Sequence, residues 1–163
     1  MNIQILVHSM TGNSLHVANM LKLNLESEDH HVGLTHIKAD DEKNLDPDQI
    51  KITALPDIKN ADLIIIGGPV RGFAPSTAIK KLLKSFGSLK GKKVVLYVTE
   101  FFPFNFMGGK QALTAMANAI EKRGGKVEIK RVIHWYNWGR NLKILKFVHA
   151  VKTNVVQATP SKK

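Results

Sequence analysis

The chain has 163 residues, a mass of 18.1 kDa and 44% hydrophobic side chains, enough for one domain with a proper core. It contains no cysteine, which excludes disulfides, thiolate metal sites and cysteine nucleophiles, so any redox chemistry must come from a bound cofactor. The net charge of +11 is unevenly spread: residues 1–62 hold ten acidic and five basic side chains, residues 63–163 three acidic and nineteen basic, leaving −5 and +16.

Ile3, Ile5, Leu6 and Val7 form the first buried strand, and Leu15, Ala18, Leu21 and Leu25 follow at helical spacing. Between them lies Ser9-Met10-Thr11-Gly12-Asn13-Ser14. Hydroxyls, an amide and an unobstructed glycine backbone at the start of a helix suit an anion, because the first-turn N–H groups and the positive end of the helix dipole point there. The same residues also read as an ordinary Ser/Thr/Asn helix cap. Neither G-x-x-x-x-G-K-[ST] nor G-x-G-x-x-G occurs, so a single terminal phosphate suits this turn better than a triphosphate or a dinucleotide pyrophosphate.

His31 to Ile37 reads as a second strand and Asp40-Asp41-Glu42 as a solvated loop, and Asp46-Pro47 is a possible start for a short helix. The unalternating apolar run from Asp62 to Pro69 predicts a central strand of a parallel sheet. A helix from Pro75-Ser76 to Phe86 turns Ile79, Leu82 and Leu83 inward, and Lys93 to Thr99 forms the fourth strand. Gly109 to Lys122 is helical and stops at Gly124-Gly125, and Val127 to Trp135 is the fifth strand. In the closing helix from Gly139, the spacing of Leu142, Leu145, Val148, Val151 and Val155 predicts the buried face. Alternating strands and helices imply an α/β doubly wound parallel sheet.

Ligands of such sheets sit outside the carboxyl ends of the strands. Ser9-x-Thr11-Gly12-Asn13-Ser14 after the first strand resembles the FMN phosphate loop of the flavodoxin family. Gly67-Gly68-Pro69-Val70-Arg71-Gly72-Phe73 after the third strand and Thr99-Glu100-Phe101-Phe102, running on to Gly108, after the fourth resemble that family's two ring-covering loops. Phe73, Phe101, Phe102, Phe104 and Phe106 are five of the chain's seven phenylalanines, a composition suited to sandwiching a flat apolar ring or to plugging loop against helix. The resemblance covers residues 1–157, with 158–163 a short polar tail. Lacking the insertion that splits the last strand in long-chain members, the chain is similar to the short-chain form.

The resemblance implies a five-stranded sheet in the order 2-1-3-4-5, FMN as cofactor, and electron transfer between a reductase and an acceptor, with no catalytic side chain of its own. An FMN reductase taking hydride from NAD(P)H for a quinone-like acceptor is an alternative on the same fold. A basic nucleic-acid or membrane-surface module is another. The basic charge suggests an acidic redox partner, or a solubilising lysine coat. Arg71 beside the ring would favour the anionic reduced flavin and make its couple less negative, or would point to solvent. His8 next to the phosphate turn and Glu100 at the ring's polar edge are further candidates, while His30, His31 and His36 lack a metal-ligand pattern. With no leader-like N-terminus and no apolar run of ~18 residues, the expected location is cytoplasmic.

Overall fold

A computed structural model describes residues 1–53, 57–101, 108–136 and 138–157, the side chains to residue 155. Five parallel strands, β1 (Asn2–His8), β2 (His31–Ile37), β3 (Leu63–Arg71), β5 (Lys93–Glu100) and β6 (Lys126–His134), pair in the order β2-β1-β3-β5-β6. A sixth, two-residue strand, β4 (Ala74–Pro75), pairs antiparallel with β3. The order agrees with the sequence reading once β4 is set aside.

Successive side chains leave a strand on opposite faces, so each central strand feeds two cores. Ile3, Ile5 and Val7 of β1, Leu63 and Ile65 of β3, and Val95 and Tyr97 of β5 pack on one side with α1 (Asn13–Glu26) and α4 (Arg140–Val151). Leu6, Ile64, Ile66, Val94, Leu96 and Val98 pack on the other with α2 (Thr77–Ser85) and α3 (Gly109–Glu121). Burial on both faces explains why these strands are runs of branched apolar residues. Beyond α4 the chain continues as a π-helical segment, Lys152–Gln157.

Three local expectations give way to competing contacts. Asp46-Pro47-Asp48 forms turns rather than a helix: Asn44 Oδ1 accepts from the Asp46 N–H and Asp46 Oδ1 from that of Asp48, side-chain bonds that compete with helical ones. β3 runs through Pro69, Val70 and Arg71 into the expected ring loop, because the Gly72-Phe73 turn folds Ala74 and Pro75 back onto it. α2 therefore starts at Thr77.

The buried face of α4 also differs: Ile144, Phe147, Val148 and Val151 face inward, continued by Val155, while Leu142 is 56% and Leu145 50% exposed. The expected tail, 158–163, lies outside the described residues. The strand order places β2 and β1, from the acidic first 62 residues, on one side of the sheet and β3, β5 and β6 on the other, so the charge imbalance along the sequence carries over to the two flanks, partly offset where Lys84 reaches Asp48 and Lys152 reaches Glu28.

Candidate functional site

The carboxyl end of β1 delivers the chain into Ser9–Gly12, and α1 starts at Asn13. Gly12 has φ +88°, a left-handed conformation that side chains resist, with nothing near its Cα to block an approaching ligand. No side chain caps α1 and its first turn holds no acidic residue, so its leading N–H groups and dipole are left without a counter-group. Met10, Thr11 and Gly12 are exposed and Asn13 half-buried. Ser9 Oγ is buried without a hydrogen-bond partner among the described residues.

Ser14 is used differently. Its hydroxyl lies 2.7 Å from that of Thr99 at the end of β5, and its carbonyl accepts from the Tyr97 phenol at 2.8 Å. Full burial raises the Tyr97 pKa and keeps it a neutral donor. Ser14 and Thr99 therefore tie the turn after β1 to the end of β5.

The two expected ring loops meet. Phe73 is 59% exposed and has φ +63°, an uncommon conformation for a bulky residue and one that collects at functional sites. Its backbone lies against Gly108, the residue that leads into α3. Pro69, Val70 and Arg71 are half-buried along the end of β3. Phe101, 56% exposed, packs its ring at 5.6 Å and 41° on Tyr136. Phe102, Phe104 and Phe106 lie outside the described residues.

Sequence reasoning missed the third contributor to this rim, the segment after β6. The Trp135 N–H donates to the Glu100 carbonyl at 2.7 Å and the Tyr136 N–H to that of Phe101 at 2.8 Å, which fastens this segment to the β5 loop. Arg140 lies over the Trp135 ring at 4.5 Å, and His16 of α1 meets the same ring edge-on at 6.0 Å. Its sequence signal was Trp135-Tyr136-x-Trp138 directly after a strand, at the edge where ligands collect.

Glu100 lies inside the rim rather than open to it. Its carboxylate is almost fully buried, with Oε1 2.9 Å from His134 Nδ1 and Oε2 against Gly109 at the start of α3, where the helix dipole favours negative charge. Arg71 donates through Nη1 to the Glu42 carbonyl, so its guanidinium is held toward the segment after β2.

Glu42 was expected to be solvated, yet its carboxylate receives His8 Nε2 at 2.9 Å, while His8 Nδ1 lies 2.7 Å from the Ser76 hydroxyl at the head of α2. His8 is 1% exposed, and burial lowers its pKa despite the raising effect of Glu42. The unfolded chain therefore takes up this proton at higher pH than the folded one. The His8 contribution is complete above about pH 6.5 and is lost progressively as pH falls below it, down to the depressed folded pKa. In urea melts the parent should lose stability from pH 7 to 5 more steeply than His8→Gln; equal slopes would remove His8 from this role.

No protein-family model matches the chain, and no curated protein matches it in sequence. Solved structures do match its fold. A short-chain flavodoxin associated with a non-canonical PDU bacterial microcompartment superimposes with a TM-score of 0.67 at 17% identity, over 98% of this chain and 99% of that one. The flavodoxin of Streptococcus pneumonia TIGR4 gives 0.67 at 14% identity, over 91% and 96%. Oxidised Flavodoxin 2 from Bacillus cereus gives 0.63 at 20% identity, over 92% and 97%. The fold is flavodoxin-like, and the first, third and fifth-strand loops that resembled the family stand at one rim of it.

Proposed function

We propose that this chain binds FMN at the carboxyl rim of its sheet and carries electrons between a reductase and an acceptor protein. The observation that carries the reading is the uncapped start of α1: a left-handed Gly12, unneutralised first-turn N–H groups and a buried Ser9 hydroxyl without a partner among the described residues lie along one turn. A phosphate monoester meets each of these needs without a cationic side chain. Ser9, Met10, Thr11, Gly12, Asn13 and Ser14 would hold the phosphate end. Pro69, Val70, Arg71, Gly72 and Phe73 on one side, and Thr99, Glu100, Phe101, Phe102 and Gly108 on the other, would enclose the ring.

Bound FMN would supply reversible one- and two-electron chemistry. The chain's own residues bind, orient and shield it. The Phe73 turn and Phe101 offer exposed apolar surface, and the Ser14–Thr99 bond fixes the distance between the phosphate turn and the β5 loop. Arg71, although held by Glu42, adds positive charge at the β3–β4 turn, and Glu100 places a carboxylate between His134 and the start of α3. A cytoplasmic setting and an acidic partner accord with this reading.

Incubation with FMN followed by gel filtration should leave a yellow protein with two visible absorption bands and one flavin per chain. A colourless protein would overturn the assignment. The loaded protein, given NAD(P)H and a quinone, should oxidise little nucleotide until a reductase is added. Steady oxidation by the protein alone would instead make it an FMN reductase.

A further inference from the structure

The closing helix has two apolar stripes, and the fold uses one. At 100° per residue, Ile144, Phe147, Val148 and Val151 fall on one side of α4, where they are buried. Leu142 falls on the opposite side and Leu145 on the flank between it and Val148, and both are at least half exposed. Just ahead of the helix, Trp138 is fully exposed and Tyr136 is 66% exposed. Lys146 is exposed beside Leu142, and Lys143, half-buried, follows on the same flank, 40° from Phe147. Glu128 is the last acidic residue, so residues 129–163 hold eight Lys and Arg side chains and no Asp or Glu.

We propose that this outer face seats the protein on an anionic phospholipid surface. A helix with exposed leucines, lysines along one flank and a neighbouring tryptophan has the composition that lies in the headgroup plane, apolar side down and cations among the phosphates. Tryptophan and tyrosine favour that depth because each has an apolar body and a polar tip. The cation excess of residues 129–163, which the Lys152–Glu28 pair at 2.7 Å only partly offsets, argues for a membrane over a protein partner: a lipid surface is one sign throughout, whereas a protein interface alternates signs to fix its register. No helix among the described residues is long and apolar enough to cross a bilayer, so α4 would lie on it.

The seat adjoins the candidate site, since the Tyr136 ring packs on Phe101 of the β5 loop. Seated this way, the rim proposed for FMN would face the headgroups, within reach of an acceptor dissolved in the bilayer. The seating itself does not depend on FMN and is tested without it.

The test is co-sedimentation of the full chain, FMN-free and FMN-incubated, with vesicles of phosphatidylcholine alone or mixed with phosphatidylglycerol. The chain should pellet with the mixed vesicles only, less so as salt is raised, with a blue shift of tryptophan emission as Trp138 leaves water. Each lysine near an anionic surface contributes about fivefold, so Lys143→Gln with Lys146→Gln should weaken partition roughly 25-fold. Leu142→Ser with Leu145→Ser should abolish the emission shift. Both pairs replace side chains outside the core, and unchanged thermal melts would confirm that each variant is folded.

A supernatant chain at low salt, or two folded double variants that bind like the parent, would overturn the proposal. So would a concentration-dependent dimer that Leu142→Ser with Leu145→Ser dissolves while no vesicle binding is seen, since the face would then belong to a second copy. Binding by the FMN-free chain upholds the proposal even if flavin never loads.

Discussion

Asn13→Asp should raise the melting temperature of the ligand-free protein and lower its affinity for FMN at least about tenfold. Asn13 is the first residue of α1, and the first turn of that helix has no acidic side chain. A carboxylate there opposes the helix dipole's positive end, a gain of about 0.3–1 kcal/mol, or ~1–4 °C in a domain of this size. The phosphate would require the same place. Against a phosphate of roughly two charges at ~5 Å, repulsion costs ~1.7 kcal/mol in the dielectric of water and several times more near a protein surface. Opposite signs separate ligand exclusion from damage to the fold, and differential scanning fluorimetry with and without FMN reads both. An affinity equal to the parent's would place the phosphate elsewhere.

Gly67→Ala should cost the fold about 2–6 kcal/mol. Gly67 of β3 pairs with Tyr97 of β5, and a methyl group at Gly67 would fall inside the Tyr97 ring. That ring is fully buried, packs at 5.6 Å on Phe147 of α4, and donates its hydroxyl to the Ser14 carbonyl. Shifting the ring to admit the methyl strains a packed core, at ~1–3 kcal/mol, and takes its hydroxyl off the buried Ser14 carbonyl, at a further ~1–3 kcal/mol. Because the displaced bond ends on Ser14, the phosphate turn should loosen as the core does. Tyr97→Phe, which loses only the hydrogen bond, should cost about 1–3 kcal/mol in the same urea titration. A Gly67→Ala protein as stable as the parent would show that the ring is not confined between β3 and α4.

What the sequence made legible was local. Ile64-Ile65-Ile66 reads as a strand covered on both faces, so the parallel sheet followed from the alternation of such runs with helices, while its order came with the family resemblance. The candidate anion turn was legible because its residues are consecutive in the sequence. The face of α4 was not, because Leu142, Leu145, Val148 and Val151 recur every three residues and each step of 300° falls 60° short of a full turn. Over three steps that row winds half-way round the helix, from solvent to core. The His8–Glu42 and His8–Ser76 contacts join residues 34 and 68 positions apart, and nothing in the sequence near His8 announces either partner. The β3–β4 hairpin was hidden in the same way, since Pro75 reads as a helix start unless the Gly72-Phe73 reversal is foreseen.

The sheet order that separates the acidic first third of the chain from the basic remainder gives the whole molecule an electric moment lying across its strands. In the field of any negatively charged object the protein experiences a torque before it makes contact, turning its β6 flank forward and its β2 flank away. Encounters would thus arrive already aligned, and dilute buffer would lengthen the range over which that alignment acts.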